Sequence, residues 1–219
     1  MTTDQRAGGP LVWIDCEMTG LDPQSHVLVE IAVVVTDADL NRLDDGIDIV
    51  ISATPEQLAA MDAFVRDMHT SSGLLDEIRH TGTSLQQAEE QVMAYLAKHV
   101  PEPGKAPLCG NTIGTDRGFL ARYMPRVDAH LHYRMIDVSS IKELARRWYP
   151  RAYYNAPAKN GGHRALADII ESINELRYYR ATVMVPAPGP DSDTARAAAR
   201  ALGLSAPPVT PDQGVPASD

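Results

Sequence analysis

Two acidic residues interrupt an apolar segment near the start of the chain. Asp15 and Glu17 lie two residues apart within residues 11–18, a segment that predicts a β-strand. Because side chains alternate along a strand, both carboxylates point to the same face. Two acids buried together would repel each other, and Mg²⁺, which takes oxygen ligands, would offset that repulsion. The alternative for this pair is a strand end whose acids simply meet water.

Three further residues could take part in the same chemistry. Asp116 follows Gly114 and Thr115 where a helix is predicted to begin, so taken alone it is a helix-capping acid. Asp168 falls opposite the apolar stripe of a later predicted helix, and taken alone it belongs to a solvated face. His163 lies in a glycine-rich approach to that helix and, taken alone, is an exposed loop histidine.

Alternating strands and helices must position these residues. Strands are predicted at 11–18, 27–36, 47–51, 107–111 and 133–138. Helices are predicted after Thr54, after Ser84, over 116–124, after Ser140 and over 164–179. The order predicts an α/β domain with a mixed β-sheet flanked by helices.

Two of these helices have explicit start signals. Thr54 and Gln57 form a capping box, and apolar residues then continue at helical spacing to Met68, which predicts one continuous helix. Ser140 and Glu143 form a second capping box, which predicts a helix that begins there.

Composition divides the chain into three parts. We predict a flexible N-terminus over 1–9, a catalytic domain over 10–182 and a disordered tail rich in proline and alanine over 183–219. A transient helix is predicted within the tail at 195–202.

Charge and targeting signals limit the possible partners. The net charge of −9 does not suit a protein that grips long nucleic acid through a basic groove, so any nucleic-acid substrate should be short. The sequence has neither a signal-peptide pattern nor an apolar segment of roughly 18 to 20 residues. Cys16 and Cys109 lack metal-ligand spacing. We therefore expect a cytoplasmic protein that does not enter a membrane.

Three segments resemble the exonuclease motifs of the DEDD superfamily: WIDCEMTGLD at 13–22, GNTIGTDRGFLARYMP at 110–125 and HRALADIIESI at 163–173. The spacing His163-x4-Asp168 is that of the branch with a histidine general base. Within this branch the chain resembles the oligoribonuclease family, also in MDAFVRDMHTSSGL at 61–74, HYRMIDVSSIKELARRWYP at 132–150 and ELRYYR at 175–180. It departs from that family's usual residues at Cys16, Thr112 and Met135.

The resemblance implies an RNase H-like fold and a 3′→5′ exoribonuclease acting on short oligoribonucleotides, especially dinucleotides. It implies that two Mg²⁺ ions, or Mn²⁺ as a substitute, are held by four acids: Asp15, Glu17, Asp116 and Asp168. The two metal ions of such a site lie about 3.5–4 Å apart. One activates the attacking water and the other stabilises the leaving 3′-oxygen. His163 is implied as the general base that takes the water's proton.

The same resemblance implies how a dinucleotide is selected. Leu21 would wedge between the two bases, and Tyr133 would stack on a base across a homodimer interface. Contacts around phosphate are implied for four residues: His69, Thr112, Arg134 and Ser139. Taken alone, Leu21 is an ordinary apolar residue at a strand end, Tyr133 a half-buried strand aromatic and Arg134 a surface charge.

Three other functions remain open from sequence. The nearest is an exonuclease of the same superfamily acting on long RNA or on DNA, which the acidic composition disfavours. A phosphomonoesterase with Asp15 as nucleophile would want a second aspartate where Glu17 stands. A catalytically silent nucleic-acid-binding or scaffold protein is the third.

Overall fold

The structure is a computed structural model that describes residues 8–158 and 162–204. Within these ranges the elements follow one another as β1 (Leu11–Met18), β2 (Leu28–Thr36), β3 (Ile47–Val50), α1 (Pro55–Ala59), α2 (Ala63–Ser71), α3 (Leu74–His80), α4 (Leu85–His99), β4 (Pro107–Gly110), α5 (Gly114–Tyr123), α6 (Pro125–His130), β5 (His132–Asp137), α7 (Val138–Trp148), α8 (Pro150–Tyr154), α9 (Ala165–Thr182) and α10 (Ser192–Ala201).

The five strands form one mixed sheet in the order β3-β2-β1-β4-β5. The first three strands are an antiparallel meander, whereas β4 pairs parallel to β1 and β5 parallel to β4. The predicted mixed sheet flanked by helices is thus confirmed. β1 is the central strand of the sheet, with two strands on each side. Asp15 and Glu17 lie near its carboxyl end, which other elements therefore surround.

The two faces of β1 belong to different hydrophobic cores. Ile14 and Cys16 pack with residues of α4, α5 and α6, among them Val92 and Phe119. Trp13 packs on the opposite side with α7 and α9, in a core that includes Ala32, Val34, Val138, Ala165, Ile169 and Ile173. By the alternation of the strand, Asp15 and Glu17 share the face of Trp13 and point toward the α9 side.

Two helix predictions are wrong in detail. The predicted helix after Thr54 is two helices, because Asp62 accepts a hydrogen bond from the Val65 N–H (2.8 Å) and caps a new helix, α2. The capping box predicted at Ser140 does not start α7. That helix begins at Val138, and the Asp137 carboxylate caps it by accepting from the Ser139 N–H at 3.0 Å.

The chain divides into two compact units, residues 1–183 and 184–219. The second unit contains α10, which the Asp191 carboxylate caps and which overlaps the helix predicted at 195–202. A flexible N-terminus and a disordered tail are also predicted. Residues 1–7 of the first and 205–219 of the second lie outside the described residues. No helix in the described part of the chain combines the length and the apolar character that a membrane span requires.

Candidate active site

Three carboxylates from distant parts of the chain meet at the end of β1. Asp15, Glu17 and Asp168 each place an oxygen so that the three atoms lie within 4.8 Å of one another. Asp168 belongs to the first turn of α9, whose Ala165 and Ile169 pack in the same core as Trp13. The packing of α9 on the sheet therefore carries this acid to the two strand residues. All three donors are carboxylate oxygens, which suit Mg²⁺ or Mn²⁺.

Asp116 reaches the same strand from the other side. It lies in the first turn of α5, is buried, and its Oδ1 accepts a hydrogen bond from the Cys16 N–H at 3.0 Å. β1 pairs with β4 at Val12 and Trp13, so the Cys16 N–H lies beyond the paired part of that edge. Asp116 satisfies it and is thereby fixed beside Asp15 and Glu17.

The acids strongly perturb one another. Burial raises the pKa of the Asp15 carboxyl well above its usual range, and the charges of Asp116 and Asp168 raise it further. Burial, followed by the charge of Glu30, raises the pKa of Glu17 to about 8. Burial raises the pKa of Asp116 to about 7 despite its hydrogen bonds, which lower it. A metal-free site therefore retains protons at neutral pH that a bound cation would displace.

His163 lies two residues before α9, the helix that carries Asp168. It is exposed, has a positive φ of 46°, and lines a cavity of about 420 Å³ with the α2 residues Phe64 and Met68. Its backbone conformation is uncommon for a residue other than glycine. Such local strain is frequent at functional sites.

A second cavity adjoins Glu17. It measures about 580 Å³ and lies between the loop after β1 and α2, with Leu21, His26, Phe64 and Met68 in its wall. Leu21 and Phe64 are 77% and 75% exposed, so both present apolar surface to solvent. Exposed apolar side chains around a concave surface are typical of a site for a flat apolar ligand such as a nucleobase.

His69 is completely buried beneath Glu17. Its Nε2 donates to the Met18 carbonyl at 2.9 Å. Its Nδ1 lies 3.9 Å from Glu17 Oε2 and has no hydrogen-bond partner among the described residues. Burial lowers the pKa of this imidazole, which favours the neutral form. The phosphate contact predicted for His69 stays a prediction, because in this structure the ring supports the strand end.

Thr112 and Ser139 meet as one polar group. The Thr112 N–H donates both to Ser139 Oγ (2.8 Å) and to Asp137 Oδ1 (3.0 Å), and the two hydroxyls are 3.1 Å apart. Asn111 lies behind them, where its Oδ1 accepts from the Ser139 hydroxyl at 3.0 Å. Ser139 also lines a cavity of about 750 Å³ at the start of α7.

Tyr133 and Arg134 lie on β5, the edge strand of the sheet. The Tyr133 side chain is 73% exposed, and the Arg134 guanidinium lies 5.5 Å from the centre of the Tyr133 ring. Neither residue lines the two cavities beside α2.

Sequence reasoning missed several residues at this site. The sequence predicts no role for Phe64 and only a place in an apolar helix stripe for Met68, although an exposed aromatic in a helix next to a candidate site is a signal for ligand stacking. Asp137 is a residue type that commonly caps a helix, but the Ser140 and Glu143 pattern predicts a later start for α7. The contacts of Glu30 and Arg164 join residues 134 positions apart and left no local signal.

Comparison with known proteins gives a consistent assignment. The family model described as "Exonuclease" matches residues 12–176, which is most of the chain. An oligoribonuclease of Streptomyces griseus is 62% identical over 90% of this chain and 98% of its own length. The oligoribonuclease of Streptomyces coelicolor is 63% identical with the same coverage, and that of Leifsonia xyli is 60% identical over 88% of this chain and 92% of its own.

Solved structures agree at the level of the fold. Exonuclease I of E. coli, in a zinc-bound complex with single-stranded DNA, matches 80% of this chain with a TM-score of 0.62 at 13% identity. Exonuclease I of Methylocaldum szegediense matches the same share with a TM-score of 0.57 at 17% identity. The chain spans about two fifths (41%) of each of these larger proteins. The match in fold and the close sequence relatives lead to one conclusion: the chain belongs to the oligoribonuclease family of 3′→5′ exonucleases within the DEDDh superfamily.

Proposed function

We propose that the chain degrades very short oligoribonucleotides, and dinucleotides in particular, to nucleoside 5′-monophosphates. The observation that carries this proposal is the convergence of Asp15, Glu17 and Asp168 beside the buried Asp116. Such a group of acids carries a large electrostatic penalty unless cations compensate it. The names of the close relatives support short RNA as the substrate class.

These four acids would hold two divalent cations, Mg²⁺ or Mn²⁺. When bound, such a pair supplies Lewis acidity at the attacking water and at the leaving 3′-oxygen. His163 would accept the proton of that water at a ring nitrogen, because histidine is the side chain most often used as a general base. Its position on the cavity beside α2 supports this role, since solvent reaches the ring there.

Base recognition would come from apolar surfaces on either side of the second cavity. Leu21 would insert between the two bases from the loop after β1, and Phe64 with Met68 would contact a base from α2. The exposure of Leu21 and Phe64 supports this arrangement. Stacking of a base on an aromatic ring is worth about 1–3 kcal/mol, enough to hold a substrate that offers few phosphates.

The 5′-terminal phosphate would be bound by the polar group at the start of α7. The hydroxyls of Thr112 and Ser139 lie 3.1 Å apart beside the N-terminus of α7. On binding phosphate, the Ser139 hydroxyl would exchange its present acceptor, Asn111 Oδ1, for a phosphate oxygen, and the Thr112 hydroxyl would donate beside it. Arg134 would add a charged fork that suits phosphate. The resemblance also implies a phosphate contact for His69, which would need the strand end that now covers this ring to move. A cap at this end would favour two-residue substrates over longer ones.

We further propose a homodimer in which Tyr133 stacks on a base bound by the partner subunit. The edge strand β5 and the helices after it expose a group of large apolar side chains: Tyr133, Met135, Leu144, Trp148, Tyr149 and Tyr154. An exposed apolar patch at an unpaired strand edge is typical of a protein–protein interface. We also place the protein in the cytoplasm, where the free cysteines Cys16 and Cys109 would remain reduced.

The proposal is tested with 5′-labelled RNA of two, five and twenty nucleotides, with Mg²⁺ or with a chelator. We expect the dinucleotide to disappear fastest, only when the metal is present, and to yield mononucleotides. Preferential attack on the twenty-nucleotide RNA would instead support an exonuclease for long RNA. The corresponding DNA oligonucleotides show whether the sugar is discriminated.

A further inference from the structure

A further buried acid, Glu30, lies next to the candidate site. Glu30 is completely buried on β2, where its Cα is paired directly with that of Glu17 in the antiparallel register. Glu30 is not one of the three acids within 4.8 Å of one another. A buried carboxylate in this position would add to the repulsion at the site unless another group compensated it.

Arg164 provides this compensation. Its Nε donates to Glu30 Oε1 at 2.8 Å, while its two terminal nitrogens donate to both oxygens of Glu77 on α3 at 2.8 and 3.0 Å. The second oxygen of Glu30 accepts from the Ala165 N–H, the first helical residue of α9, at 3.0 Å. One arginine thus joins β2, α3 and the beginning of α9.

The place of Arg164 in the chain gives this link a functional meaning. It directly follows His163 and stands one helical turn before Asp168. No side-chain cap stabilises the start of α9 from its own N-cap residue, so the contacts to Glu30 and Glu77 anchor that turn instead. A bidentate Arg–carboxylate pair fixes both distance and orientation.

We propose that Arg164 is a positioning residue whose guanidinium, held between Glu30 and Glu77, sets the first turn of α9 and thereby the place of Asp168 and His163 relative to Asp15 and Glu17. This inference rests on the proposed function. The inference goes beyond the proposed function because it assigns part of the metal affinity to Arg164, a residue that would touch neither metal nor substrate.

The test compares Arg164→Gln with Arg180→Gln. Arg180 is the matched control, because it lies on the same helix, pairs with an acid (Asp39, 2.9 Å) and loses the same charge on substitution. Binding of Mn²⁺ is measured by titration calorimetry without RNA, and kcat and KM are measured on a dinucleotide with Mg²⁺. Thermal unfolding of each variant reports the general loss of stability.

We expect Arg164→Gln to weaken Mn²⁺ binding and to lower kcat by roughly 10–100-fold, the range typical of residues that orient metal ligands, with KM little changed. Arg180→Gln should bind Mn²⁺ like the unsubstituted protein, even if its melting temperature falls equally. The inference is overturned if Arg164→Gln retains native metal affinity and kcat, or if both variants lose metal affinity alike.

Two further variants test the proposal if Arg164→Gln does not fold. Arg164→Lys retains the charge beside Glu30 but loses the bidentate contact with Glu77, and should lose several-fold in Mn²⁺ affinity. Adding Glu30→Gln to Arg164→Gln removes the uncompensated charge, keeps an acceptor for the Ala165 N–H, and should restore part of the affinity. No loss in the lysine variant would overturn the proposal. Failure of the unsubstituted protein to cleave any dinucleotide would count against the proposed function instead.

Discussion

The individual acids of the site show the strongest conflict between stability and function. Asp15, Glu17 and Asp116 each have a pKa raised chiefly by burial, and mutual repulsion raises that of Asp15 further. The fold tolerates these groups because its hydrophobic cores on both sides of β1 hold the strand in place. Cations would remove the conflict, which leads to two predictions at the scale of single residues.

The first prediction concerns Asp15→Asn, which keeps the shape of the side chain and removes its charge. Turnover of a dinucleotide should fall more than the roughly 10–100-fold that loss of a supporting residue costs, because a metal ligand is lost. The metal-free variant should nevertheless melt at a higher temperature than the unsubstituted protein at pH 8, since burial and the neighbouring acids disfavour the charged carboxylate that the substitution removes. Asp45→Asn, at a fully exposed acid, is the control and should change neither quantity. Near-normal turnover in the Asp15 variant would refute the metal assignment.

The second prediction is a pH dependence of stability. A carboxyl whose folded-state pKa is raised binds more protons in the folded than in the unfolded protein, so its contribution to stability is present at low pH and is lost as pH rises. For Glu17 that loss extends up to about pH 8, and for Asp116 up to about pH 7. In chelator, thermal stability should therefore decrease between about pH 5 and pH 8. Mg²⁺ should raise the melting temperature more at pH 8 than at pH 5, and equal shifts at both would contradict the prediction.

Much of the site could be predicted at this scale. The alternation of a strand was enough to place Asp15 and Glu17 on one face, and the structure places them together. Helical spacing assigned Asp168 to a polar face, yet that face of the first turn lies against the end of β1 rather than in bulk solvent. Periodicity indicates which side of a helix is polar, but it cannot indicate what lies opposite.

At the scale of elements, the strands were easier to predict than the helix boundaries. β1 and β2 consist mostly of apolar residues, and the sequence predicts both almost to their ends. The break between α1 and α2 was missed because apolar residues continue across it at helical spacing, while the capping acid Asp62 looks like any polar helix residue. Caps depend on the backbone geometry of a turn, which a periodic pattern does not contain.

The third prediction concerns the hydrogen-bond network that joins β4, α7 and α9. Asn111 donates to Ser172 Oγ (2.8 Å) and to Glu175 Oε2 (3.1 Å) on α9, and accepts from Ser139 on α7. Asn111→Ala should cost about 1–3 kcal/mol of unfolding free energy, because buried polar partners lose their contacts. It should also release Ser139, so KM should rise for a dinucleotide that carries a 5′-phosphate more than for one that ends in a 5′-hydroxyl.

Chemical denaturation and steady-state kinetics measure these two effects. Asn174→Ala, at an exposed position of α9, is the control and should alter neither. An equal rise in KM for both dinucleotides would show that Asn111 has no part in binding the 5′-phosphate, even if stability fell as expected.

For the whole molecule, the fourth prediction tests whether two subunits share a site. Tyr133→Ala and Asp15→Asn should each be poorly active alone. If Tyr133 acts across an interface, a mixed dimer contains one site with both an intact metal centre and an intact tyrosine. After subunit exchange of an equimolar mixture, about a quarter of the original sites should be complete and activity should rise accordingly. Activity that stays at the average of the two variants, or a monomer in sedimentation, would refute the shared site.

The fifth prediction follows from the overall charge. A chain with a net charge of −9 offers few phosphate contacts, so the logarithm of its affinity for the twenty-nucleotide RNA should fall with the logarithm of salt concentration with a slope of magnitude below about 2. Equilibrium binding at several KCl concentrations, with chelator to prevent cleavage, gives the slope. A slope several times steeper would indicate an extended phosphate track.

The order of the elements along the chain also has a consequence for synthesis on the ribosome. Asp15 and Glu17 are translated early and Asp116 midway, but Asp168 lies on α9, the last helix of the first unit. A nascent chain that has not yet released α9 lacks the third carboxylate and the turn anchored by Arg164. Hydrolytic capacity should therefore arise only when translation of this unit is nearly finished, and a fragment that ends before α9 should be inactive on dinucleotides.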